Sequence, residues 1–103
     1  MITIKKGVYE AVMERSQGYC ENAACGRTGH LYAHHAFGGS NRKKMEMEGT
    51  VFALCYECHQ GDVGVHNSRI LDLHFKQRAT QNLLDMGWTK QEIMSGVGRW
   101  YLD

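Results

Sequence analysis

The sequence contains no proline, no internal repeat and no low-complexity tract, so nothing in it marks a linker. Its 103 residues are expected to form a single domain, 1–103. Long apolar runs are also missing. The first twenty residues hold no stretch of signal-peptide length, and no segment approaches the length of a membrane span. A cytoplasmic protein with no membrane partner is therefore expected. Charge of one sign is lacking as well: 12 Lys and Arg against 11 Asp and Glu leave a net +1. That balance announces no general electrostatic grip on nucleic acid, so any basic footprint must be local. Two short runs qualify, Lys5 with Lys6 and Arg42 through Lys44, and each alone reads as a solvated face.

The chain does have four cysteines, in two close pairs. Cys20 and Cys25 enclose four residues, and Cys55 and Cys58 enclose two. In a reducing compartment such pairs favour a metal over disulfides. The competing reading, a secreted protein with two disulfides, lacks its signal segment. A tetrahedral Zn²⁺ takes four ligands, and each pair supplies two from one tight turn. Gly26, directly after Cys25, suits the bend of such a knuckle. A structural zinc would also explain how so short a chain holds its core.

Apolar spacing outlines the rest. Ile4, Val8 and Val12 recur every four residues beside Tyr9 and Met13, which predicts an opening helix up to about Arg15. Residues 31–37 and 50–54 are short apolar or aromatic runs suited to strands, joined by a polar, glycine-bounded loop over 38–49. The pair reads as a hairpin with a long connection. "HQGDVGVHNS" is too glycine-rich for a regular element. Leu71, Phe75, Ala79, Leu83 and Met86 form one stripe, predicting a helix of about sixteen residues that ends near Gly87. Thr89 and Glu92 form a capping box, with Trp88 and Ile93 as a hydrophobic staple, so a last helix is expected from Lys90 towards Val97. The expected order is helix, knuckle, strand, loop, strand, knuckle, helix, helix.

The histidines carry the chemistry. In "YAHHAFGGSNRKK", His34 and His35 stand side by side before Gly38, Gly39 and the cations Arg42, Lys43 and Lys44, a pattern suited to close approach of a phosphate. His59 directly follows the second cysteine pair, and His66 comes seven residues later. A hairpin folded against the following helix would bring these four to one cleft. Three imidazoles can hold a divalent metal with open positions, and a fourth can act as a base. His30 precedes the first strand as a turn residue and is a spare ligand. His74, beside Phe75 in a helix, reads as a packing or surface residue. Phe75, Trp88, Trp100 and Tyr101 have the spacing of helix packing rather than of base stacking. The methionines read as gap-fillers.

"LYAHHAFGG", "LCYECH" and "GVHN" together resemble the HNH endonuclease family, with its ββα-metal fold. The chain is especially similar to small HNH proteins of bacteriophages and prophages, which share "HH-x-F-G-G-x-N-R-K" followed by "LC…H…GVH". "YCENAACG" resembles the zinc-knuckle subgroup, and the tail "GWTKQEIMSGVGRWYL" fits the same type, so the resemblance spans nearly the whole chain. It implies an α+β fold: a ββα-metal (His-Me finger, treble-clef-like) core with a short hairpin, flanking terminal helices and a structural zinc on Cys20, Cys25, Cys55 and Cys58. It implies cytoplasmic DNA cleavage in a bacterial or phage-infected cell. His34, His59 and His66 become ligands of a catalytic metal and His35 the general base, while Arg42, Lys43 and Lys44 contact DNA.

The family's middle asparagine usually lies just before the second strand, where this sequence has Thr50; Asn41 or Asn67 would have to brace the loop instead. A neutral imidazole can take a proton from water near pH 7, and the hydroxide attacks phosphorus in line. The imidazole set favours Zn²⁺, Ni²⁺ or Mn²⁺ and admits Mg²⁺. One such site cuts one strand, so a double-strand break requires a homodimer or two visits. The alternative in another functional class is a catalytically silent zinc module that binds nucleic acid or protein.

Overall fold

The first helix, α1 (Lys6–Ser16), buries Val12 completely and rests Val8 and Met13 against the core. Ile4, expected on the same stripe, lies outside residues 5–102, which this computed structural model describes. Gln17 ends the helix in the left-handed conformation (φ 53°), its N–H reaching the carbonyls of Met13 and Glu14.

The chain then makes the first cysteine knuckle. The Cys20 N–H donates to the Arg27 carbonyl at 2.8 Å, while the Cys25 and Gly26 N–H groups converge on the Asn22 carbonyl at 2.8 and 3.1 Å. Gly26 sits at φ 63°, where a Cβ would cost roughly 1–2 kcal/mol. The knuckle lies along the second strand, because the Glu21 N–H donates to the Ala53 carbonyl and the Ala53 N–H returns to Glu21 Oε1, both at 2.8 Å.

Strand β1 (Tyr32–His35) pairs antiparallel with β2 (Val51–Leu54), Tyr32 opposite Leu54 and His35 opposite Val51. Both strands are shorter than the apolar runs that announced them. Leu31, Ala36 and Phe37 are buried, but by packing outside the ladder. All four residues of β2 are buried, which places this strand at the centre of the molecule.

The connection between the strands departs from the expected polar loop. It contains a short helix, α2 (Asn41–Lys44), and a 3₁₀ turn (Glu48–Thr50), and it buries Met45, Glu46 and Thr50. Thr50 Oγ1 donates to the Met45 carbonyl at 2.5 Å and accepts the Met47 N–H at 3.2 Å. Asn41 Nδ2 donates to the Val97 carbonyl at 2.9 Å. Bonds within the segment and one to the distant Val97 carbonyl satisfy its polar groups, so it can enter the interior that composition alone would deny it.

A further helical turn, α3 (Tyr56–His59), begins at the second knuckle and was not part of the expected order. It is followed by α4 (Arg69–Asp85), whose N-cap Ser68 accepts the Leu71 N–H at 3.2 Å. Phe75, Ala79 and Leu83 are fully buried along one face, whereas Met86 falls past the helix end and is 54% exposed. The last helix, α5 (Lys90–Val97), carries the expected capping box: the Glu92 N–H donates to Thr89 Oγ1 at 3.1 Å and the Thr89 N–H to Glu92 Oε1 at 2.9 Å. Among the described residues the architecture is α+β, one two-stranded hairpin with five helices around Phe52, Leu54, Phe75, Leu83 and Ile93.

Candidate metal centres and the histidine cleft

Among the described residues, two groups of side chains are spaced to hold a metal. In the first, the sulfurs of Cys20, Cys25, Cys55 and Cys58 all lie within 4.8 Å of one another, and Cys25 Sγ is 3.7 Å from Cys55 Sγ. A tetrahedron built on Zn–S bonds of about 2.3 Å has edges of about 3.8 Å, so this spacing fits zinc. Local N–H groups face the sulfurs: the Cys55 N–H donates to Cys20 Sγ and Asn22 Nδ2 to Cys58 Sγ, both at 3.4 Å. Such donors favour thiolates. Burial pushes the Cys58 thiol up to about 12, with neighbouring sulfurs adding to the rise, so a cation is what would let four thiolates coexist here.

The second group is His34, His59 and His66, again with one ligand atom of each within 4.8 Å of the others. Three elements meet there. His34 comes from β1, His59 ends α3, and His66 ends the glycine loop that doubles back beneath α3. The loop is held by the Val65 N–H on the Cys58 carbonyl at 2.8 Å and the His66 N–H on the His59 carbonyl at 3.3 Å. Gly64 makes the return possible, since a Cβ there would stand 2.6 Å from the Glu57 carbonyl oxygen. Asn67 Nδ2 donates to the Gln60 and Gly61 carbonyls at 3.1 and 3.0 Å and braces the same loop.

His59 Nε2 and His66 Nε2 are 3.0 Å apart, while His34 Nε2 and His59 Nδ1 are buried without a hydrogen-bond partner. Leaving such a group unpaired costs roughly 1–3 kcal/mol, a cost that a cation would remove at an atom it coordinated. Burial, and then the neighbouring His59, His66, Lys76 and His35, lower the His34 pKa to about 3. Burial, and then His66, lower that of His59 to about 4. Both rings are therefore neutral at pH 7, as metal ligation requires.

His35 diverges from its neighbour, as consecutive strand residues do. Its Nε2 lies 2.9 Å from Oε1 of Glu46, a side chain with no exposed surface. The other Glu46 oxygen accepts the Lys5 N–H at 2.9 Å. Burial would raise the Glu46 pKa, but the bonds to His35 and Lys5 outweigh it and hold the carboxyl below its ordinary value. His35 and the three-histidine group line one cleft of about 430 Å³, together with Gly38, Arg42, Asp72 and Lys76. Lys76 Nζ contacts both Asp72 oxygens at 2.6 Å on its α4 wall.

Among the expected site residues, Arg42 alone of the basic run lines this cleft; Lys43 is exposed, and Lys44 borders a separate groove with Trp88. His30 is exposed and stands edge-on to Tyr32, outside the histidine group, so the spare ligand is not drawn in. His74 is likewise exposed on α4, beside Phe75. Thr50 itself braces the inter-strand loop, Asn67 braces the loop before α4, and Asn41 ties α2 to α5. Glu46, Asp72 and Lys76 were missed. Glu46 had no sequence signal, because "KKMEMEG" reads as a solvated stretch; Asp72 and Lys76 show only the four-residue spacing of a helical ion pair. Comparisons with protein-family models, with curated proteins and with solved structures find no match to this chain.

Proposed function

We propose that the chain is a metal-dependent HNH endonuclease that hydrolyses DNA phosphodiester bonds, built on a ββα-metal core of β1, β2 and the helical turn α3. The observation that carries this reading is the meeting of His34, His59 and His66 in a cleft also lined by His35 and Arg42. A module that only bound nucleic acid would have no need of a three-imidazole ligand set with a fourth imidazole at its edge.

The residues divide the work by their chemistry. His35 accepts a proton from water as the water oxygen forms its bond to phosphorus and the P–O3′ bond breaks in line. The leaving 3′ oxygen takes its proton from solvent. A divalent cation on His34, His59 and His66 would supply charge neutralisation at the phosphate and the leaving oxygen. Arg42 brings positive charge to the cleft, where a phosphate flanking the cut can be held; Lys76 lines it too, paired with Asp72. Cys20, Cys25, Cys55 and Cys58 would hold a zinc, which would keep the two knuckles, and hence His59, in place.

The test is a supercoiled-plasmid assay at fixed salt with Mg²⁺, Mn²⁺, Ni²⁺ and Zn²⁺ in turn. Nicked circles are expected only when metal is added, and at low metal concentration they should be lost with His34→Ala. Intact plasmid under every metal, with DNA still bound, would overturn the nuclease in favour of a silent zinc module.

A further inference from the structure

We propose that Glu46 is a positioning residue for His35: it fixes the imidazole as the Nε2–H tautomer and leaves Nδ1 as the nitrogen that takes the proton. The inference rests on the nuclease reading of the cleft and adds to it a residue from outside the histidine motif.

The geometry begins with burial. The Glu46 side chain has no exposed surface, so its ionised form persists only if donors surround it. Two do: the Lys5 N–H reaches Oε2 at 2.9 Å, and His35 Nε2 stands 2.9 Å from Oε1. An ionised carboxylate can only accept. Nε2 must therefore carry hydrogen, and in the neutral ring the lone pair falls to Nδ1. The contact also fixes the plane of the ring, because Glu46 is itself clamped at its second oxygen by the backbone at the start of α1. Tautomer and orientation are thus both set by one side chain that never meets substrate.

The alternative is that Glu46 is a structural tie between the inter-strand segment and α1, with His35 as an incidental donor. The two differ in a readout that folding alone does not move. Long-range ¹H–¹⁵N spectra of the full chain, loaded with Zn²⁺ at neutral pH, report which ring nitrogen of His35 bears hydrogen. The expected wild-type result is hydrogen on Nε2 alone. Glu46→Gln keeps the shape but can donate as well as accept, so Nδ1–H should appear in its spectrum. Its single-turnover nicking should fall about 10–100-fold, with calorimetric metal affinity unchanged. Glu46→Asp, still an acceptor, should recover part of the rate and restore the single tautomer.

A wild-type ring with hydrogen on Nδ1, or on both nitrogens, overturns the proposal without recourse to any variant. So does a folded Glu46→Gln protein that nicks as wild type does. A wild type that shows Nε2–H yet cuts no plasmid under any metal supports the Glu46-set tautomer while removing the nuclease reading alone.

Discussion

The Nε2 atoms of His59 and His66 stand 3.0 Å apart, seven residues from one another along the chain and joined by a loop that doubles back under α3. That is hydrogen-bond distance, and with His34 the two rings form a set that a divalent cation would complete. A ligand and a base should therefore fail differently. His34→Ala and His59→Ala are expected to weaken metal binding and to recover part of their nicking at high metal concentration. His35→Ala should keep its metal and lose roughly 10²–10⁴ in rate, unrestored by added metal. Calorimetry beside single-turnover nicking separates the two; loss of metal by His35→Ala would exchange the roles.

The cysteine group predicts a folding effect. Cys20→Ser or Cys58→Ser should release zinc and lower the melting temperature by at least ~10 °C, equivalent to roughly 2 kcal/mol in a domain of this size. A zinc assay and a thermal melt decide it; unchanged zinc at one per chain would remove the four-thiolate site.

The depressed values of His34 and His59 predict a pH dependence of the metal-free protein. Their folded pKa values, about 3 and about 4, lie below the ~6.5 of an unfolded imidazole. Between those limits the unfolded chain binds protons that the folded chain refuses. Their stabilising contribution is thus present in full above about pH 6.5 and is lost as the pH falls towards 4 and then 3. Melting temperature measured from pH 7 to pH 4 should decline, and His34→Gln should flatten the curve. A wild-type curve already flat would contradict the neutral assignment.

The glycine loop is sensitive to a single methyl group. In Gly64→Ala the new Cβ would meet the Glu57 carbonyl oxygen at 2.6 Å and the Cys58 carbonyl carbon and oxygen at 2.9 Å, all backbone atoms that cannot swing aside. The loop must shift, at a cost of roughly 1–3 kcal/mol, and His66 moves with it. Weakened metal binding by Gly64→Ala, checked by calorimetry against the melt, is the expected result. Metal affinity equal to wild type would mean that His66 is not a ligand.

Arg42 should separate from its neighbours. Arg42→Ala is expected to lower both DNA affinity and nicking, because this side chain lines the cleft. Lys43→Ala should at most reduce the salt dependence of binding, by about 0.9 in log–log slope if it loses one phosphate contact. Equal effects on nicking would mean that the cleft does not receive the phosphate.

Much of this molecule was legible in one dimension because its determinants are local. Thr89 and Glu92 bond each other across one helical turn, and Phe75, Ala79 and Leu83 repeat at helical spacing, so α5 and the buried face of α4 followed from spacing alone. The two cysteine knuckles were legible for the same reason: each closes within a few residues. The proximity of His34, His59 and His66 needed only the hairpin and the second knuckle between them. What the tertiary structure decided is the segment 38–49. Read by composition, it is a polar loop; in the fold Met45, Glu46 and Thr50 are buried. Burial of a carboxylate depends on donors brought from elsewhere, here the Lys5 backbone, 41 residues distant in the chain, and the His35 ring. Arg42 and Lys44 differ for the same reason, since a four-residue helix turns one towards the histidines and the other towards Trp88. Sequence spacing determines which side chains share a turn, but a buried charge is possible only where the rest of the chain supplies its partners.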